Sequence, residues 1–298
     1  MKKRFLPPAA DLRGKTCVVT GATAGIGKEV ARNFAQMGAE VVLACRDAGK
    51  GEIVRSELAH ATGNSAISVA VVDLADQSSI RRFASALTAA HPKVHVLVNN
   101  AGGWTTVRRE SAEGIERTFA TNVLGTFLVT ELLLPALRAA AQARVVNVAS
   151  TFVSPPDLDD LACARRKYDG VRAYRESKAA ERMLTWALAR RLDGPGVAVH
   201  AVHPGGVNTD IYRDFGGITG MVWRWYVRNF KLTPAEGADT PTWAAVASEI
   251  GGQTGRFFAF RKEVPCEFRN EAREERLWKI CEEMTKGSAH RQWRLGTP

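Results

Sequence analysis

Three features of the 298-residue sequence predict an α/β fold, a doubly wound parallel sheet in three αβα layers. Short β-rich runs alternate with longer helical segments through the first two-thirds of the chain. The runs are nearly continuous in apolar residues, as a sheet covered on both faces requires. A glycine-rich junction, with Gly21, Gly25 and Gly27, joins the first run to the first helix.

The elements follow in order. "KTCVVTG" (15–21) reads as the first strand and "KEVARNFAQMG" (28–38) as a helix with Val30, Phe34 and Met37 on one face and Gly38 as its left-handed stop. "AEVVLACR" (39–46) is a strand, "AGKGEIVRSELAHATG" (48–63) a helix, "AISVAVVDL" (66–74) a strand and "SSIRRFASALTAAH" (78–91) a helix. "VHVLVNNAG" (94–102) is the fourth strand. A long helix is expected from about Ser111 to Ala140, with Pro135 ending or kinking it. "ARVVNVAS" (143–150) is the fifth strand, Tyr174–Leu192 a helix, and "GVAVHAVHPGGV" (196–207) the sixth strand.

After Thr209 the pattern changes. An aromatic, glycine-rich stretch with no clean period leads to "PAEGADTPTWAAVASE" (234–249), read as helical, and "GRFFAFRK" (255–262), read as a last strand. "NEAREERLWKICEEMTKG" (270–287) is an amphipathic helix with Leu277, Ile280, Cys281 and Met284 on one face. The expectation is a single domain over 1–298, with a core at about 13–210 and a small C-terminal helical cap over the substrate at about 211–298.

Hydrophobic residues make up 45% and charged residues 24%, which excludes disordered and fibrous classes. A net charge of +10 suits an anionic partner, yet acidic residues are interspersed and no basic stripe forms, so no nucleic-acid partner is expected. The five cysteines are scattered without a Cys-x-x-Cys pair, which points to a reducing compartment and to no metal site. The start lacks an apolar signal core, and no uninterrupted apolar stretch is read as membrane-spanning, so a cytoplasmic location is expected.

The glycines at the junction have separate uses. Gly21 turns the chain off the strand, Gly25 lets a ligand approach the main chain, and Gly27 lets the helix pack closely. The helix start then offers free N–H groups and a positive dipole end to a pyrophosphate. Tyr174 and Lys178 in "YRESK" lie four apart, on one helix face. A phenol of ordinary pKa about 10 is a poor acid or base at neutral pH, and a neighbouring ammonium favours its ionised form. Ser150 ends a buried strand at the edge where α/β folds bind ligands, and its hydroxyl can donate to a carbonyl.

The Gly-x-x-x-Gly-x-Gly spacing, with "NNAG", "TNVLGTF" around Asn122, "VVNVAS", "YRESK" and "HPGGVNT" in the same order, resembles the short-chain dehydrogenase/reductase family over about residues 13–210. "ACRDAGKGE", "GRFFAFRK" and the long gap between Ser150 and Tyr174 resemble its retinol-dehydrogenase-like branch. The resemblance implies a Rossmann-type fold and an NAD(P)(H)-dependent oxidoreductase moving hydride between nicotinamide and a carbonyl or alcohol. In it Tyr174 exchanges the proton, Lys178 holds the cofactor ribose and tunes the tyrosine, Ser150 binds the reacting oxygen, and Asn122 interrupts its helix and positions water in a proton relay to Lys178.

The implied cofactor contacts are Gly21, Thr23, Ala24, Gly25, Ile26 and Gly27 in the first turn, with Asp73 and Leu74 at the adenine. Asn99, Ala101, Gly102, Tyr174 and Lys178 follow, and Pro204, Gly205, Val207 and Thr209 reach the nicotinamide end. Arg46, with Lys50, suits a 2′-phosphate and favours NADP(H); Asp47, one place on, keeps NAD(H) open. His203 reads as structural.

Trp104, Trp223, Trp225, Tyr226 and Phe230 can roof a pocket for a hydrophobic alcohol or carbonyl. Core packing, a subunit interface in a homo-oligomer, or a peripheral membrane patch beside Arg224 and Arg228 are equal alternatives. The alternative function is a non-catalytic dinucleotide-binding protein.

Overall fold

The computed structural model describes residues 10–192, 196–207, 232–266 and 268–286. Its strands are β1 (Thr16–Thr20), β2 (Glu40–Cys45), β3 (Ile67–Val71), β4 (Val96–Asn99), β5 (Ala143–Val148), β6 (Val197–His203), β7 (Arg256–Ala259) and β8 (Lys262–Glu263). They form one sheet in the order β3-β2-β1-β4-β5-β6-β7-β8. Every neighbouring pair is parallel except the short β7–β8 hairpin. The strand order reverses between β1 and β4, which opens a crevice at their carboxyl ends.

Period-two alternation within the strands feeds a separate core on each face. Val18, Leu97, Val145 and Val199 point to one face, where Phe127, Leu133, Met183 and Trp186 meet them. Val19, Val98, Val146 and Val202 point to the other, against Val30, Phe34 and Trp243. The first layer holds α3 (Gln77–Ala90), α4 (Arg117–Phe119), α5 (Thr126–Ala139), α6 (Gly170–Arg191) and α9 (Glu271–Thr285). The second holds α1 (Gly25–Gln36), α2 (Ala48–Thr62) and α8 (Asp239–Val246), which follows the short α7 (Pro234–Gly237). The described C-terminal residues therefore extend the sheet with β7 and β8, its second layer with α8 and its first layer with α9.

The single helix expected over 111–140 takes a different form. Gly114, at φ 76°, turns the chain, and the helix begins at Arg117, capped by the Glu116 carboxylate on Thr118 and Phe119 N–H at 2.8 and 2.7 Å. It widens to a π turn at Ala120–Gly125, then runs through Pro135 to Ala139. Pro135 neither ends nor interrupts it, because it stands on the exposed side, where a carbonyl without its N–H partner meets water. The break falls where Gly125 presses on Leu74: a Cβ there would lie 2.4 Å from the Leu74 carbonyl oxygen.

Arg117–Ala139 is also long and apolar enough to cross a bilayer, which the sequence reading had not found. With 72% of its most apolar window buried, it serves as a core helix here. The helix carrying Tyr174 starts earlier than expected, at Gly170, capped by Asp169 on Val171 and Arg172 N–H. The stretch 234–249 divides into α7, α8 and a 3₁₀ turn, Ser248–Ile250.

Candidate active site

The site forms at the carboxyl ends of β1, β4, β5 and β6. Gly21 and Gly25 take φ of 66° and 55°, as the tight turn needs. A Cβ on Gly27 would fall 2.5 Å from the Gly21 carbonyl oxygen, and one on Gly21 would fall 2.9 Å from Ala101 Cα. The first turn of α1 is thus pressed against the β4 loop. Asn100 holds the two loops together, its side-chain amide donating to the Thr20 and Gly21 carbonyls at 3.0 and 3.3 Å. Thr20 Oγ1 accepts from Asn100 and Ala101 N–H, both at 3.0 Å.

Ala24, at the N-cap of α1, supplies no side-chain acceptor, so the amides of Gly25, Ile26 and Gly27 beyond Thr23 have no such cap. This close-packed, uncapped helix start fits a pyrophosphate. At the far edge Arg46 and Lys50 are exposed. Asp47 is engaged as the α2 N-cap, accepting from Lys50 N–H at 3.0 Å. Asp73 is half-buried and accepts from Ala75 N–H at 2.9 Å, while Leu74 is buried. Asn99 turns into the core, donating to Thr130 Oγ1 and Asn147 Oδ1 at 2.9 Å, so its side chain supports the sheet.

Two of the expected residues, Asn122 and Lys178, meet at Gly102. A Cβ on this glycine would lie 3.3 Å from both Asn122 Oδ1 and Lys178 Nζ. Asn122 sits inside the π turn, where its Oδ1 accepts from Gly103 N–H at 3.0 Å. Its Nδ2 donates to Gly103 O at 2.9 Å and to Ser177 Oγ at 3.0 Å. Lys178 is buried and donates to the Val148 carbonyl at 2.9 Å and to Glu181 Oε1 at 3.0 Å. Its Nζ stands 5.9 Å from the centroid of the half-buried Tyr174 ring. Trp104 flanks that ring at 6.1 Å between centroids.

Ser150 lies two residues beyond β5 and is 7% exposed. Its Oγ accepts from Phe152 N–H at 3.0 Å, and its carbonyl accepts from Arg182. His203 receives Thr151 N–H at Nδ1, 3.3 Å away, and meets Thr151 Oγ1 at Nε2. Burial, helped by Arg182, lowers its pKa to about 4, which keeps the ring neutral and suits the structural role. Gly205, at φ 86°, begins the turn after β6, beside Pro204, and Val207 is buried in a bridge with Leu232. Thr209, Trp223, Arg224, Trp225, Tyr226, Arg228 and Phe230 lie outside the described residues.

The insertion between Ser150 and Tyr174 is fastened down by residues the sequence did not single out. Tyr168 Oη donates to Glu116 Oε1 at 3.0 Å and approaches Thr105 O at 3.2 Å. Arg166 donates to Glu176 Oε2 at 2.5 Å, and Arg172 to Glu176 Oε1 at 2.7 Å. Glu181 was missed too; its signal is the i,i+3 spacing from Lys178. Nothing local distinguishes Arg182.

Comparison with known proteins agrees with this geometry. The short chain dehydrogenase family pattern matches residues 15–216. Retinol dehydrogenase 12 of Mus musculus is 41% identical over 277 residues, covering 91% of this chain and 87% of that protein. Retinol dehydrogenase 11 of Homo sapiens is 40% identical over 275 residues, covering 91% and 85%. Among solved structures, an uncharacterized protein from Mycobacterium Paratuberculosis superposes with a TM-score of 0.75 at 30% identity, covering 93% of this chain and 96% of that one. The Pseudomonas aeruginosa RhlG/NADP active-site complex gives 0.67 at 27% identity, covering 86% and 98%. Nothing in these likenesses favours a non-catalytic binder. The chain belongs to the short-chain dehydrogenase/reductase family, in its retinol-dehydrogenase-like branch, and is an NAD(P)-dependent oxidoreductase.

Proposed function

We propose that this protein interconverts a bulky apolar alcohol and its carbonyl, with NADP(H) preferred to NAD(H), Tyr174 serving as the general acid and base. The observation that carries the reading is the meeting of Lys178 Nζ and Asn122 Oδ1 at Gly102, beside the Tyr174 ring. When bound, the nicotinamide supplies or accepts the hydride. Tyr174 gives its phenolic proton to the substrate oxygen in reduction and takes it back in oxidation. Lys178 favours the phenolate by its charge and binds the ribose hydroxyls. Ser150 Oγ donates to the reacting oxygen as negative charge develops there. Asn122, held open in the π turn by Gly103 and Ser177, anchors the proton relay to Lys178.

The preference for NADP(H) rests on the 2′ edge, where Asp47 is engaged as a helix cap and Arg46 is exposed for a phosphate. The apolar substrate rests on Trp104 against Tyr174 and on Phe152, 55% exposed two residues past Ser150. Relatives named as retinol dehydrogenases suggest a long, retinoid-like chain. A cytoplasmic location is part of the proposal, resting on five free cysteines, and subcellular fractionation tests it.

The central test follows NADPH absorbance with a panel of aldehydes, retinal among them, against short polar ones. Apolar aldehydes should turn over fastest, and Tyr174→Phe should reduce kcat by at least about a hundredfold. Full turnover by Tyr174→Phe would overturn the mechanism.

A further inference from the structure

Glu181 lies one helical turn beyond Lys178 on α6, and the two side chains are 1% and 5% exposed. Lys178 Nζ is 2.8 Å from Glu181 Oε2 and donates to Oε1 at 3.0 Å. A carboxylate this deep loses its hydration, and a cation in contact offsets the loss. Among the described residues, the charges that act on it are those of Lys178 and Arg182, both on α6. From β5 the same ammonium meets the Val148 carbonyl. The lysine beside Tyr174 therefore carries its own buried counter-ion.

An ammonium near a phenol stabilises the phenolate, and a carboxylate touching that ammonium weakens its field. We propose that Glu181 is a positioning residue of the active site, seating the Lys178 ammonium against the end of β5 and damping its charge at Tyr174. The working pH of Tyr174 is then set by three side chains. This rests on the reading of Tyr174 and Lys178 as the proton-transfer pair. Burial pushes the Glu181 carboxyl up to about 7 against the pull of Lys178. It is the ionised carboxylate that damps the field of Lys178 at the phenol.

Glu181→Gln keeps the shape and an acceptor oxygen for Lys178 and removes the charge alone. The experiment measures kcat/KM for alcohol oxidation with NADP+ over about pH 5–10 in the wild type, Glu181→Gln and Glu181→Asp. The acid limb of the Gln profile should move down by about one pH unit, because Tyr174 then ionises more readily. The Asp variant, which keeps the charge, should hold the wild-type limb. Should the Gln protein not fold, Glu181→Asn is measured and read in the same way. An unshifted or upward-shifted limb in the amide variant would overturn the role of Glu181. Tyr174→Phe, assayed alongside, separates the two failures: if it stays inactive while the amide variant is unshifted, only the inference about Glu181 falls.

Discussion

Arg182 donates through Nη2 to the main-chain carbonyl of Ser150, while its guanidinium carbon lies 3.6 Å from the ring centroid of Phe257. The same side chain reaches Cys266 Sγ through Nη1 at 3.7 Å. One residue of α6 thus couples the end of β5 to β7 and to the segment before α9. Arg182→Met keeps an apolar stem against Phe257 and loses the donor. It should lower kcat about tenfold to a hundredfold through a displaced Ser150, with cofactor affinity retained. Steady-state kinetics with a fluorescence titration of NADPH checks this, and unchanged kcat would remove Arg182 from the support of the site.

Arg46 offers an exposed guanidinium where Asp47 is already committed to capping α2. Arg46→Ala should raise KM for NADPH about tenfold to a hundredfold, the worth of a charge-assisted bond, and leave KM for NADH nearly unchanged. Equal effects on both cofactors would place the 2′-phosphate elsewhere.

Tyr168 joins the insertion to Glu116, the buried cap of the helix that carries Asn122. Tyr168→Phe leaves one Glu116 oxygen short of a donor and should cost about 1–2 kcal/mol. Thermal unfolding should report the loss, and limited proteolysis should cut faster within 151–169. An insertion cleaved at the wild-type rate would show that Tyr168 does not fasten it.

Acid should destabilise the fold through its buried histidines. Burial lowers the pKa of fully buried His200 to about 4 from an ordinary 6.5, with Arg144 and Arg256 adding to the effect. Below 6.5 the unfolded chain binds a proton that the native chain refuses, so stability is full above 6.5 and falls as pH drops toward 4. The loss is about 2–3 kcal/mol over that window. Calorimetry should show a shallower fall between those pH values for His200→Leu than for the wild type; parallel curves would assign the acid sensitivity to other groups.

Much of this site is legible without coordinates because its signals are local. Gly21 and Gly25 need positive φ whatever surrounds them. Tyr174 and Lys178 share a helix face by spacing alone. Pro135 misled because a proline's effect depends on which side of the helix faces water, and that is settled by packing. The partners of the Asn99 side chain, Thr130 and Asn147, lie 31 and 48 residues along the chain, so its turn into the core could not be read from the local motif.

By itself, the sequence determined the alternation of strands and helices, the tight junction before α1, and the shared helix face of Tyr174 and Lys178. These follow from periodicity and backbone sterics, which act over a few residues. Only the tertiary structure decided where α8 and β7 join the sheet and its second layer, that the interruption at Asn122 is a π turn, and that Lys178 is buried with Glu181 as its partner. Burial and electrostatic environment depend on which distant segments close over a side chain, and chain spacing does not encode that.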